Sequence, residues 1–135
     1  MEKEFVPYNQ ALRLKELGFN ESCFGRWWFN AGIHKLNEEE LEIIKSYYFG
    51  LPEYYILAPT FSQVFRWFRE KYFYLSYVCS PYKEYNEFYF RIRHIGDIIN
   101  EGELENFESQ VYKSYEEAEL SCLNKLIEIV ESNYE

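Results

Sequence analysis

Residues 23–34, CFGRWWFNAGIH, set a cysteine and a histidine at the ends of a run that holds an arginine and two adjacent tryptophans. Side chains of these types could ligate a metal, cage a ligand, anchor a partner or wall a core. Metal is the weakest of these readings. Cys23, Cys79, Cys122, His34 and His94 share no CxxC, HxxxH or HxxE spacing, so no short segment presents two ligands together. If the run is a strand, Trp27 and Trp28 face opposite sides of a sheet and cannot clamp one ligand between them. Arg26 then shares a side with Trp28, and an exposed tryptophan beside an arginine is the combination enriched at interface hot spots. The equal alternative buries both tryptophans.

A second group stands in FYFRIRH, residues 88–94. On a strand, Phe88, Phe90 and Ile92 point one way and Tyr89, Arg91 and Arg93 the other, giving one buried face and one wetter, basic face. Two arginines beside aromatic rings could hold phosphates and a base, although an ordinary solvated strand face is the favoured reading. The candidate partner- or ligand-binding residues are therefore Arg26, Trp27, Trp28, His34, Tyr89, Arg91 and Arg93. No catalytic residue is assigned and no cofactor is expected. The sequence has no GxSxG elbow, its six glycines are scattered singly, and its carboxylates at 38–40 and 101–108 lie in charge runs of the kind that form solvated faces. A non-enzymatic protein is expected.

Composition narrows the partners. The chain has 135 residues, a net charge of −9, and 12 Phe, 14 Tyr and 3 Trp. Aromatic side chains bury roughly 150–250 Å² each, more than a domain this size can hide for all of them, so some line a surface or an interface. Residues 59–135 hold 8 Lys and Arg against 14 Asp and Glu, a net of −6. That half has the helix–strand–strand–strand–helix order of a double-stranded RNA-binding domain, but Tyr115-Glu116-Glu117 stands where its last helix would need bases to meet phosphate. Nucleic-acid binding through direct phosphate contacts is not expected on that ground. Acidic runs mimicking nucleic acid remain a weaker alternative. Three widely spaced cysteines make no disulfide framework, the start carries no apolar h-region, and no apolar run approaches the ~20 residues of a membrane span. A protein of the reducing cytoplasm, away from membranes, is expected.

The elements that must position these residues are partly legible. Pro7 suits a first helical turn and Gly18-Phe19 a left-handed cap, which predicts a helix over about 7–17. Ser22 to Phe29 reads as a strand. In NEEELEIIKSYYFG, Asn37 and Glu40 form the ends of a capping box for a second helix, stopped by Gly50-Leu51-Pro52. Phe61, Val64, Phe65, Phe68 and Tyr72 recur at helical spacing in APTFSQVFRWFREKY, a helix that needs a surface to pack on. Strands are expected over 73–80 and 86–95, joined by PYKEYN, and a short one at Gln110 to Tyr112. Ser114 and Glu117 then cap a final helix whose stripe is Ala118, Cys122, Leu126 and Val130. The expected fold is α+β, a single domain over 1–135, with a small antiparallel sheet of three or four strands packed by helices and an α-β-β-β-α C-terminal half.

Three blocks, EFVPYNQALRLKELGFNESCFG, ILAPTFSQVFRWFREKY and KSYEEAELSCLNKLIEIV, resemble small accessory proteins encoded by bacteriophages and mobile elements of gut bacteria. The resemblance covers somewhat under half the chain. It carries no known activity and no functional residues. It implies work in the cytoplasm of a bacterial host, and binding to a host protein, a defence component included, through the acidic, aromatic-rich surface. A small-molecule ligand such as a nucleotide signal is the alternative, and self-association into a homodimer is compatible with either.

Overall fold

The computed structural model describes residues 4–21, 25–28, 32–35, 55–80, 86–95 and 107–133, with 25–28, 32–35 and 55–57 described by backbone alone. The helix expected from Asn37 lies outside them. The chain divides into two compact units, Met1–Gln63 and Val64–Glu135.

In the first unit, helix α1 (Tyr8–Glu16) follows Pro7, whose φ of −60° and ψ of 157° hold it extended at the N-cap. Its carbonyl accepts from the Ala11 N–H at 2.9 Å. Proline suits a helix entrance because the N–H it lacks would have no intrahelical partner there. At the other end Gly18, at φ 96°, donates to the Lys15 carbonyl at 3.0 Å, and Phe19 donates to that of Leu14 at 2.9 Å. These are the two bonds of a Schellman cap, and both Leu14 and Phe19 are buried, as its apolar contact requires. Leu14, rather than Leu12 or Leu17, is the fully buried leucine of this helix.

Three short strands form an antiparallel sheet in the order β2-β1-β3: β1 (Gly25–Trp28), β2 (Gly32–Lys35) and β3 (Tyr55–Ala58). Of the strand expected over Ser22 to Phe29, Gly25–Trp28 forms the centre of this sheet, and the remaining residues lie outside those described. α1 packs against β3. The Val6 N–H donates to the Pro59 carbonyl at 2.9 Å, tying the approach to α1 onto the chain leaving β3. Helix α2 (Phe61–Tyr72) spans its apolar pattern from first residue to last; Ala58, at the head of the stretch, belongs to β3, and Thr60 is the N-cap, its Oγ1 accepting from Gln63 N–H at 3.2 Å.

The second unit takes in α2 from Val64 onward. Val64, Trp67 and Phe68 are buried, and Trp67 meets Phe68 and Tyr72 edge-on at ring separations of 5.0 and 5.4 Å. Phe73 alone, at φ 62°, turns the chain from α2 into β4 (Tyr74–Cys79). A non-glycine residue in the left-handed region costs about 1–2 kcal/mol, and the Phe73 carbonyl is held there by the Ile95 N–H at 2.7 Å. β4 pairs antiparallel with β5 (Tyr89–His94), which pairs with β6 (Phe107–Glu108). The expected strand at Gln110 to Tyr112 is instead β6, three residues earlier, followed by an isolated bridge between Tyr112 and Phe88. Between them Ser109 substitutes for a regular ladder: its N–H donates to the Phe90 carbonyl and its Oγ accepts from the Phe90 N–H, each at 2.9 Å.

Helix α3 (Tyr115–Asn133) lies across β4 and β5 and covers one face of their sheet. Its stripe of Ala118, Cys122, Leu126 and Val130 is buried as expected, widened by Leu123 and Ile127. Opposite it stand Tyr74, Phe90 and Ile92, also buried. Each large apolar side chain removed from water in this layer stabilises the unit by roughly 1.5–3 kcal/mol. The protein is α+β, with a small antiparallel sheet packed by a helix and an α-β-β-β-α order from α2 onward; the first unit adds a second three-stranded sheet.

Candidate binding face

With α3 on one side of the β4–β6 sheet, strand alternation turns Leu75, Tyr77, Cys79, Tyr89, Arg91, Arg93 and Glu108 to the other. The register aligns three of them in a row across all three strands: Tyr77 opposite Arg91, and Arg91 opposite Glu108. Directly opposed residues have Cβ atoms about 4.5–5.5 Å apart, within reach of long side chains. Arg91 Nη2 donates to Glu108 Oε1 at 3.4 Å, and Tyr77 stands directly opposite Arg91 in the ladder. Tyr77 first and Glu108 second raise the Arg91 pKa further above its ordinary value. The guanidinium carbon lies 5.5 Å from the centroid of the Tyr89 ring, a cation–π distance. Desolvation holds the Tyr89 phenol above its ordinary pKa against the opposing pull of Arg91, with a hydrogen bond to Cys79 adding to the rise.

The row is open to water: Tyr77 is 42 % exposed, and the side chains of Arg91 and Glu108 are 47 % and 58 % exposed. Arg93, two residues along and exposed, has no ion-pair partner among the described residues. Tyr77, Arg91, Ile92, Arg93, Phe107 and Glu108 line an open groove of about 380 Å³. One guanidinium is thus oriented by its neighbours, a second has no ion pair among the described residues, and both border the same groove. That arrangement can bind an anionic group.

A second groove of about 320 Å³, between the chain after β6 and α3, offers less. Its one cation, Lys125, lies 4.6 Å over the Phe107 ring and pairs with Glu128 at 3.4 Å. Cys122, almost wholly buried, has its thiol pushed up to about 12 by desolvation, with Ser76 opposing and Glu119 reinforcing the rise. Too little thiolate forms at neutral pH for nucleophilic chemistry. Among the described residues no group of three His, Cys, Asp or Glu could hold a metal ion, and no helix is long and apolar enough to cross a membrane.

The candidates from sequence fall into two sets. Tyr89, Arg91 and Arg93 come together as the alternation foresaw. Arg26 and His34 lie opposite each other in the first sheet's ladder, Trp27 pairs with Ile33 and Ile56, and Trp28 with Gly32 and Tyr55. These two sets belong to different units. Tyr77 and Glu108, which complete the row, were not among the candidates; the alternation of Leu75, Tyr77 and Cys79 against Tyr74, Ser76 and Val78 was the available signal for the first, and nothing local marks the second. No protein-family model matches the chain, and no curated protein or solved structure matches it either.

Proposed function

We propose that this chain is a non-enzymatic binding protein that docks a segment of a partner protein on the outer face of the β4–β6 sheet. The observation that carries the reading is the open groove bordered by Arg91 and Arg93 and floored by the Tyr77–Arg91–Glu108 row on a chain of net charge −9. Small ligands usually lose 70–90% of their surface to enclosing pockets, whereas an open face suits a side chain presented by a larger partner. Tyrosine and arginine are also the residue types that concentrate binding energy at interfaces. In keeping with the resemblance to phage and mobile-element accessory proteins, the partner in this reading is a host protein of the bacterial cytoplasm, a defence component included. The acidic remainder of the surface then steers the chain toward a partner with a basic margin.

A small-molecule reading, a nucleotide signal held by Arg91, Arg93 and the tyrosines, draws on the same groove, whose volume falls at the low end for ligand pockets. Native mass spectrometry of the protein from the cells that express it separates the two, since a retained ligand adds a few hundred daltons. The docking test is a quantitative pull-down from those cells with wild type, Tyr77→Ala/Arg93→Ala and Arg26→Ala/Trp28→Ala. A partner lost only with the first variant supports the reading. Equal recovery by wild type and the first variant removes this face, and loss confined to the second moves docking to the first sheet.

A further inference from the structure

We infer that the Glu108 carboxylate stands in for an acidic group of the partner, a carboxylate or phosphomonoester that displaces it from Arg91 and is clamped between Arg91 and Arg93. The inference rests on the docking reading and names the chemistry that face recognises.

The internal pair is built to be exchanged. Glu108 meets Arg91 through one long contact of 3.4 Å with both side chains about half exposed, whereas a strong arginine–carboxylate pair is bidentate with contacts of roughly 2.7–2.9 Å. Exposed single-contact pairs add little, so an incoming anion that engages two donors outcompetes this one. The guanidinium does not collapse when Glu108 leaves. Tyr77 still stands opposite it in the ladder and the Tyr89 ring still lies 5.5 Å from its guanidinium carbon, so the donor is already oriented for the anion.

Arg93 supplies the second cation. It follows Arg91 by two residues on one strand, which sets their Cα atoms roughly 6.5 Å apart on the same face, a span that two long side chains close on one anion. Among the described residues no acid occupies Arg93, so its charge is available while that of Arg91 is screened. Glu108 therefore sets the affinity: it keeps Arg91 partly neutralised until a stronger anion arrives, and its removal exposes two adjacent positive charges.

The test follows the side-chain Nε–Hε signals of Arg91 and Arg93 in the ¹⁵N-labelled full chain. N-acetyl-glutamate amide and N-acetyl-phosphoserine amide are titrated into wild type and Glu108→Gln, an exposed near-isosteric change. Both signals should shift saturably in wild type, and Glu108→Gln should tighten binding by about 1.5- to 5-fold, the range an exposed pair can exert. Response to the carboxylate probe identifies an acidic residue as the partner's group; response to the phosphorylated probe alone identifies a phosphorylated one. If neither probe moves the signals, or if Glu108→Gln binds no tighter, the inference is wrong. The docking reading survives that result where Tyr77→Ala/Arg93→Ala still loses the partner, and falls with it where that variant does not.

Discussion

Raising the pH above the ordinary thiol range should weaken the folded chain through Cys122. Burial against the sheet pushes this thiol up to about 12 from an ordinary value of 9.0. The folded-state value is the raised one, so the folded chain holds its proton more tightly than the unfolded chain. The resulting stabilisation is fully present below 9.0 and is lost as the pH climbs through about 12. At a pH of about 10.5 the unfolded thiol is mostly ionised and the folded one is not, and the linkage amounts to about 2 kcal/mol. Tyr115, also raised mainly by desolvation, adds a loss of the same sign at higher pH, so wild type alone does not isolate the thiol. The assay is therefore a comparison of urea unfolding at about pH 8 and about pH 10.5 in wild type and in Cys122→Ala. The substitution lowers stability at both values by on the order of 1–2 kcal/mol through the atoms it removes, an offset that cancels in the comparison. Wild type should lose about 2 kcal/mol more than Cys122→Ala between the two pH values. Equal losses in both proteins would falsify the claim that this thiol is desolvated under α3.

Two further substitutions probe how the helices are bounded. Gly18→Ala forces a Cβ into the left-handed region at about 1–2 kcal/mol, offset by roughly 0.5–1 kcal/mol of unfolded-chain entropy, for a net loss of about 1 kcal/mol in urea unfolding; a gain in stability would show that the Schellman cap does not form. Ser114→Ala removes the oxygen that accepts from the Glu117 N–H at 3.1 Å and should cost about 0.5–2 kcal/mol by thermal unfolding, while Ser114→Asp keeps the acceptor and the stability. An alanine variant as stable as wild type would contradict the cap.

What the sequence determined by itself are the features whose causes lie within a few residues. Pro7, Gly18 and Phe19 bound α1, Ser114 starts α3, and the stripe from Ala118 to Val130 is buried because helical periodicity leaves it no other side. The two faces of β5 were equally legible, since alternation assigns Phe90 and Ile92 inward and Arg91 and Arg93 outward whatever their neighbours are. Local rules do not decide where two elements meet in one apolar stretch: Ala58 could extend α2 or end β3, and the pairing of β3 with β1 decides for the strand.

Only the tertiary structure decided which strands are neighbours. A two-residue shift in register preserves every inward and outward assignment, so the apolar pattern cannot say that Arg91 faces Tyr77 on one side and Glu108 on the other. Glu108 sits in a run of acids that looks solvated throughout, and its pairing 17 residues back sets it apart. The short ladder of β6, the Ser109 detour and the cover of α3 select that register together. The sequence supplied two arginines on a wet strand face; folding set a carboxylate and a tyrosine beside one of them and, among the described residues, no acid beside the other.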